Sequence, residues 1–296
     1  MTTANAAMLD QIKMGQGFIA ALDQSGGSTP KALKGYGIEA DAFSNDEEMF
    51  GLIHDMRSRI VTAPCFNGEK VIGAILFERT MDGEAGGKPV PALLWERGVV
   101  PFLKVDKGLE DEVNGVQLMK ANPDLDALCE RAVAKGVFGT KMRSVLNLAN
   151  PAGVKAIVEQ QFAEAKRIAS HGLVPIIEPE VNIKSAERDG ADRLLLNETL
   201  AALDAWTGAP VMLKLSLPTE AGLFQPLVDH PKVLRVVALS GGFARSEACV
   251  ELAKNPGIIA SFSRALLEDL RHQMSDDEFN ASLVGAITEI HAASVA

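Results

Sequence analysis

Several short apolar stretches of the sequence carry ionic residues at alternating positions. In Val211–Leu217 the cation Lys214 interrupts an aliphatic run, and the side chains of a strand alternate between its two faces. One face would then be wholly aliphatic and must be covered, so Lys214 is predicted to point into an enclosed space. Enclosure removes solvation from an ammonium group and favours its neutral form, which is a nucleophile. An imine-forming enzyme requires such an amine.

The same alternation predicts further ionic side chains at the carboxyl ends of four other strands. They are, in chain order, Asp23, Lys104 with Asp106, Lys141 with Arg143, and Glu178 with Glu180. In any one strand these groups could belong to a structural lattice of ion pairs, since such networks are common. Five strands with the same pattern at the same end favour a catalytic site.

A glycine-rich segment after the seventh predicted strand could bind an anion. It holds Ser240, Gly241 and Gly242, and Arg264 follows the eighth predicted strand. Successive glycines let backbone N–H groups converge on an anion, and a guanidinium adds bidentate contacts to phosphate. Such a tripeptide by itself is more often a plain turn. Its position in a barrel, with the arginine nearby, favours phosphate binding.

A second small, polar and glycine-rich segment spans Asp23–Pro30. One interpretation is a turn that leads into a helix whose first turn holds Pro30. The other is a second anion site that uses the hydroxyl groups of Ser25 and Ser28. The sequence leaves both interpretations open.

Eight apolar runs alternate with helical patterns along the chain, which predicts a parallel sheet. The predicted strands are Gly17–Asp23, Val71–Phe77, Val99–Asp106, Phe138–Val145, Leu173–Glu180, Val211–Leu217, Val236–Ser240 and Ile258–Phe262. Prolines 175 and 179 interrupt the fifth run, which leaves the bounds of that strand open. The predicted helices include 154–170, 192–206 and 246–254, and a last helix begins with the capping-box sequence at Ser275. The glycine- and proline-rich segment 80–91 is predicted to be a loop at the working face.

Eight strand-helix units in 296 residues predict a single-domain (β/α)8 TIM barrel over residues 1–296. The alternative is an open, doubly wound sheet. That fold would place a G-x-G-x-x-G loop after the first strand, and the sequence has none there.

Composition excludes several classes of function. The net charge of −10 argues against general binding to nucleic acids or membrane surfaces, and no segment is apolar enough to span a bilayer. The three cysteines are scattered and imply no disulfide framework, and the five histidines lack the paired spacing of metal ligands. We therefore expect no metal and no cofactor. The first residues lack an export signal, so we expect a cytoplasmic protein.

Together these motifs resemble the class I fructose-bisphosphate aldolases, the metal-independent Schiff-base type, in a bacterial-type form. The most specific blocks are Lys104-Val-Asp-Lys-Gly and Val-Pro-Ile-Ile-Glu178-Pro-Glu. The blocks around Asp23, Lys141, Lys214, Ser240 and Arg264 occur in the family's order, one for each strand. The resemblance implies a (β/α)8 barrel that reversibly cleaves fructose 1,6-bisphosphate to dihydroxyacetone phosphate and glyceraldehyde 3-phosphate, in glycolysis or gluconeogenesis.

The resemblance also implies a role for each matching residue. Lys214 would form an imine with the C2 ketone, and Glu178 would remove water from the carbinolamine with support from Lys141. Asp23 would deprotonate the C4 hydroxyl, and Glu180 would share charge with Glu178 and the lysines. The implied contacts to the C1 phosphate are Ser240, Gly241, Gly242 and Arg264, and those to the C6 phosphate or nearby hydroxyls are Ser25, Ser28, Lys104 and Arg143.

Two other functions compete with this interpretation. Another Schiff-base sugar-phosphate aldolase or a transaldolase would need only one phosphate site. A barrel that binds sugar phosphates without catalysis would need no amine nucleophile, so Lys214 argues against it. In every case the expected partner is a small sugar phosphate, and association into a homo-oligomer is left open.

The sequence departs from the family pattern at two places. Vertebrate members end in a tyrosine that helps to protonate the enamine, whereas the one tyrosine of this sequence is Tyr36. Another group or water would then have to return that proton. In addition, the acidic stretch Asp46–Met49 stands where members carry basic residues, so part of the C6-phosphate site is expected to differ.

Overall fold

A parallel β-barrel forms the centre of the computed structural model, which describes residues 3–296 and the side chains of residues 5–296. Its strands are β1 Phe18–Leu22, β2 Val71–Leu76, β3 Val100–Lys104, β4 Gly139–Leu146, β5 Val174–Val181, β6 Val211–Ser216, β7 Val233–Leu239 and β8 Ile258–Ala260. Each strand pairs in parallel with the next. The N–H of Ala21 donates to the carbonyl of Phe262 at 3.1 Å, which closes the ring.

Helices surround this barrel and connect its strands. They are α1 Thr3–Met14, α2 Thr29–Gly35, α3 Asp46–Thr62, α4 Glu78–Asp82, α5 Val90–Glu96, α6 Leu125–Ala134, α7 Pro151–Ser170, α8 Arg188–Ala205, α9 Gln225–Val228, α10 Arg245–Ala253, α11 Arg264–Leu267 and α12 Asp276–Ser294. The capping box predicted at Ser275 is present at the start of α12. The (β/α)8 TIM barrel is confirmed. That one domain spans all of residues 1–296 stays a prediction, because the first two residues lie outside the described part.

Two apolar cores position the functional layer of the barrel. The larger lies between the sheet and the helices and includes Leu213 of β6, whereas the smaller fills the barrel interior and includes Phe102 and Met212. A Cβ added at Gly139 would meet the Phe102 ring at 2.8 Å, so a glycine there makes room for the aromatic side chain. Since apolar side chains fill the lower interior, ionic side chains further along the same strands must lie above them, at the carboxyl ends.

The predicted strands lie where the sequence places them, although their bounds differ by a few residues. The third predicted strand ends at Lys104, because the Asp106 carboxylate accepts from the N–H of Gly108 at 3.3 Å and turns the chain. Pro175 and Pro179 lie within β5, which pairs with β4 over eight positions but with β6 over two.

The prediction of a loop over residues 80–91 is wrong in its detail. The segment contains the end of α4 and the start of α5. Between them, Glu84–Ala85 pairs with Lys88–Pro89 in a two-stranded hairpin. Gly86 and Gly87 form its turn with positive φ angles of 56° and 74°, which glycine adopts without steric cost. None of the described helices is long and apolar enough to cross a membrane.

Candidate active site

Four ionic side chains meet inside the barrel at the carboxyl ends of its strands. Lys214 of β6 is 4% exposed, and its Nζ lies 3.3 Å from Oε1 of Glu178 on β5. The other oxygen of Glu178 lies 3.0 Å from Nζ of Lys141 on β4. Lys141 also donates to Asp23, which follows β1, at 2.6 Å. The enclosure predicted for Lys214 is therefore present, and the two lysines and two carboxylates alternate in one continuous row of ion pairs.

Burial and neighbouring charges determine whether Asp23 and Lys141, at one end of this row, are ionised. Burial by itself would raise the pKa of Asp23, but the charges of Lys141 and then Lys214 outweigh it and hold this pKa well below its ordinary value. Burial likewise opposes the charge of Lys141, but Asp23 and Glu178 raise its pKa above the ordinary range. Asp23 is therefore a carboxylate and Lys141 an ammonium ion at neutral pH.

The backbone beneath Glu178 is held by a side chain from the surrounding helices. Gln161 of α7 is fully buried, and its Oε1 accepts from the N–H of Glu178 at 2.9 Å. Its Nε2 donates to the hydroxyl of Ser144 on β4 at 3.0 Å. The amide thus uses one donor and one acceptor to tie β5 to β4 at the level of the site. A polar residue on the apolar face of the predicted helix was the sequence signal for this contact, and it was missed.

Four further charged residues of the predicted site form two ion pairs beside this row of side chains. Arg143 of β4 pairs with Glu180 of β5, and Lys104 pairs with Asp106 at 2.7 Å. Burial opposes the charge of Arg143, but Glu180 raises its pKa. Glu180 therefore shares its charge with an arginine, whereas the sequence led us to expect sharing with the lysines and Glu178.

The glycine-rich segment after β7 lies next to Arg264. Ser240 is buried, and its carbonyl accepts from the N–H of Phe243 at 3.0 Å to close a turn. Gly241 and Gly242 have positive φ angles of 62° and 120°, a conformation that favours glycine. A Cβ added at Gly242 would lie 3.2 Å from a guanidinium nitrogen of Arg264. The turn and the arginine are thus within reach of one anion.

The serines of the other polar segment form a local turn. The hydroxyl of Ser28 accepts from the N–H of Ser25 at 3.1 Å and donates to its carbonyl at 3.2 Å. Pro30 lies in the first turn of α2. The turn interpretation of this segment is therefore confirmed, and the anion site stays a prediction.

Arg57 was not predicted from the sequence, although it lies next to Asp23. It belongs to the buried face of α3, where Ile53, Met56 and Ile60 recur at helical spacing. Burial lowers the pKa of Arg57 to about 10, and Asp23 opposes this shift. The signal that could have identified Arg57 is a charged residue in an apolar helical stripe.

The residues named at the two departures from the family pattern have structural roles. Tyr36 is buried, and its ring packs edge-on against His272 and Phe279. The acidic residues after Asn45 occupy the first turn of α3, where negative charge stabilises the helix dipole. Among residues 5–296, no His, Cys, Asp and Glu side chains are grouped so that they could hold a metal ion.

Comparisons with known proteins agree with the geometry. The family model described as fructose-bisphosphate aldolase class-I matches residues 3–194. The chain is 56% identical over 292 residues to a fructose-bisphosphate aldolase class 1 of Porphyromonas gingivalis, with 98% of this chain and 99% of the relative covered. A structure of fructose-bisphosphate aldolase from Plasmodium falciparum has a TM-score of 0.80 at 20% identity, covering 98% of this chain and 94% of that one. At that identity the solved structure supports the fold alone.

Proposed function

The chain belongs to the class-I fructose-bisphosphate aldolase family, and we propose that it reversibly cleaves fructose 1,6-bisphosphate through an imine on Lys214. The products are dihydroxyacetone phosphate and glyceraldehyde 3-phosphate. The observation that carries this proposal is the buried contact between the Nζ of Lys214 and a carboxylate oxygen of Glu178 at 3.3 Å. An enclosed amine beside a carboxylate has both the nucleophile and the proton acceptor that imine formation needs.

Imine formation uses Glu178 twice. Lys214 passes one proton to Oε1 of Glu178, and its neutral amine then attacks the C2 ketone to give a carbinolamine. The protonated Glu178 returns that proton to the carbinolamine hydroxyl, which leaves as water while the C=N bond forms. Lys141, 3.0 Å from the other carboxylate oxygen, stabilises Glu178 each time it becomes an anion.

Cleavage of the C3–C4 bond uses Asp23. Its depressed pKa keeps it a carboxylate, so it accepts the proton of the C4 hydroxyl as the C4 carbonyl forms. The electrons of the broken bond flow into the protonated imine, which becomes an enamine. Protonation at C3 and hydrolysis of the imine then release dihydroxyacetone phosphate and restore Lys214.

Two anion sites hold the substrate in this proposal. The C1 phosphate contacts Ser240, Gly241, Gly242 and Arg264, where glycine N–H groups and a guanidinium are adjacent. The C6 phosphate or nearby hydroxyls contact Ser25, Ser28, Lys104 and Arg143. Lys104 and Arg143 now pair with Asp106 and Glu180, so a phosphate there would share those cations with the two carboxylates.

Imine formation and C3–C4 cleavage both use residues of the chain itself, so we propose a metal-independent enzyme whose rate a strong chelator leaves unchanged. We also propose that it works in the cytoplasm, in glycolysis and gluconeogenesis. A homo-oligomer stays a prediction.

Reductive trapping tests the central step. Borohydride added with dihydroxyacetone phosphate should attach the reduced ligand to the peptide that contains Lys214, as peptide mass mapping can show. Lys155, exposed on α7, provides the matched control: Lys155→Met should label as the parent does, whereas Lys214→Met should not label. Label on Lys141 or Lys104, or no label in the parent, would refute the proposal.

A further inference from the structure

An arginine lies entirely inside the protein, between the segments that follow the first and second strands of the barrel. Arg57 of α3 is 1% exposed. Charged side chains are rarely buried this deeply unless their partners hold them in place. Its hydrogen bonds go to neutral oxygens, and its Nε has no hydrogen-bond partner among the described residues. The steps proposed above give this residue no part.

The guanidinium of Arg57 joins the segments that follow β1 and β2. One nitrogen donates to the hydroxyl of Thr80, after β2, at 2.8 Å. Another donates to both the backbone carbonyl and the side-chain Oε1 of Gln24, the latter at 3.1 Å. The two terminal nitrogens of a planar guanidinium hold these donors at fixed, separate positions, whereas a lysine would have to reach both segments from one nitrogen atom. The contact therefore depends on an arginine.

Gln24 extends this connection to the last strand. Its Nε2 donates to the hydroxyl of Ser263 at 2.7 Å, and Ser263 directly precedes Arg264. Here β1 and β8 are joined by the bond between Ala21 and Phe262, whereas a central pair such as β4 and β5 is in register over eight positions. Side chains thus continue the connection across a sparsely paired part of the barrel.

Asp23 directly precedes Gln24, the residue to which Arg57 donates hydrogen bonds. Its carboxylate reaches 2.6 Å from Lys141 on the far side, so its position depends on where the Gln24 backbone lies. We propose that Arg57 is a positioning residue for the cleavage step, acting through Gln24 to fix Asp23 relative to Lys141. This inference rests on the proposed function, because it presumes that Asp23 accepts the C4 hydroxyl proton. A displacement of about 1 Å in such a group can lower the rate about 100-fold.

The expected signature is a loss of cleavage with imine formation retained. Arg57→Met should lower kcat for fructose 1,6-bisphosphate about 10- to 100-fold. Borohydride trapping of dihydroxyacetone phosphate should stay within about twofold of the parent, because Lys214 and Glu178 lie on β6 and β5. A residue that only stabilised the fold would lower both activities together, through the fraction of protein folded.

Arg235 provides a matched control at the opposite end of the barrel. This half-buried arginine of β7 donates to the carbonyls of Ile12, Lys13 and Gly15 at the end of α1. Arg235→Met therefore removes a comparable set of hydrogen bonds far from the carboxyl ends of the strands. It should lower the melting temperature without changing kcat at temperatures where the protein is folded.

Two further variants test the route through Gln24. Gln24→Ala loses the side-chain hydrogen bonds to Ser263 and Arg57 but keeps the bond from Arg57 to the backbone carbonyl of residue 24. Its kcat should therefore fall less than that of Arg57→Met. The double variant with both Arg57→Met and Gln24→Ala should have the kcat of Arg57→Met alone, since the effects of two substitutions in one hydrogen-bond network are not additive. Gln24→Ala also decides the question if Arg57→Met does not fold. Arg57→Lys keeps the positive charge but not the planar guanidinium with its separate donor nitrogens, and its kcat should stay within about threefold of that of Arg57→Met.

Four outcomes would overturn the inference: a kcat for Arg57→Met equal to that of Arg235→Met, trapping that falls in parallel with kcat, additive losses in the double variant, or recovery by Arg57→Lys. The parent enzyme separates this inference from the proposed function. Absence of trapping or cleavage in the parent would refute the function itself, whereas a parent that cleaves normally leaves only the role of Arg57 at stake.

Discussion

Replacing Lys141 by methionine should destabilise the protein by an amount that depends on pH. Lys141 contacts Asp23 at 2.6 Å and Glu178 at 3.0 Å, and all three side chains are buried. Removing one partner of a buried ion pair costs about 3–5 kcal/mol, because the other charge is left without compensation. We expect a loss of that size for Lys141→Met at pH 8.

The sign of the pH dependence follows from Asp23. In the parent its pKa lies below the ordinary 3.8, so its contribution to stability is fully present above pH 3.8 and is lost as the pH falls through the lower folded value. The raised pKa of Lys141 gives a contribution that is fully present below 10.5 and is lost only above it. Between pH 5 and 8 the parent contribution of this pair is therefore constant.

Without Lys141, burial should affect the pKa of Asp23 more than the remaining cations do. Burial, the largest single influence on its pKa, is then opposed mainly by Lys214 and more weakly by Lys104, so we expect the pKa to rise above 3.8. A raised carboxyl pKa favours the folded state at low pH and disfavours it as the pH rises. The loss in Lys141→Met should therefore be smaller at pH 5 than at pH 8, by about 1.4 kcal/mol for each unit by which the pKa exceeds 5.

Urea unfolding of the parent and the variant at pH 5 and pH 8 measures this difference directly. Lys155→Met is the control, because its pair with Glu159 is exposed and such pairs contribute at most about 1 kcal/mol. Adding Asp23→Asn to Lys141→Met should recover part of the loss at pH 8. An equal loss at both pH values, or one no larger than that of the control, would show that the buried charges are not coupled as described.

Four other substitutions have distinct expected results. Lys214→Met should lower kcat for fructose 1,6-bisphosphate cleavage at least about 10⁴-fold when assayed at a temperature where the variant is folded, since the change also removes a cation from the buried Glu178 and so lowers the melting temperature. A smaller fall in steady-state assays would contradict its role as nucleophile. Gly242→Ala and Gly172→Ala both place a side chain at positive φ and should each cost about 1 kcal/mol. Only the former should raise KM, by about tenfold, which initial rates can check. Gln161→Leu leaves the N–H of Glu178 without its partner and should cost about 1–3 kcal/mol in urea unfolding, and a neutral result would argue against that contact.

The sequence alone determined which residues of each strand face the barrel interior. Side chains alternate along a strand whatever its neighbours are, so Lys214 and Met212 could be assigned to one face and Leu213 to the other, as the structure has them. The order of the strands could be predicted for a similar reason, because parallel strands joined by helices pair with their neighbours in sequence. The ends of the strands were less accurate, since turns such as the one at Asp106 depend on side-chain hydrogen bonds.

Only the tertiary structure decided which partner each charged group has. The pairing of Glu180 with Arg143 and of Glu178 with two lysines depends on the tilt and stagger of neighbouring strands, which no local pattern encodes. Arg57 enters from a helix 34 residues beyond Asp23 along the chain, so its contact with Gln24 depends on how α3 packs against the barrel. Residue types and their periodicity were enough to predict the chemistry of the site. Which charged groups pair with one another could be known only from the packing of the whole barrel.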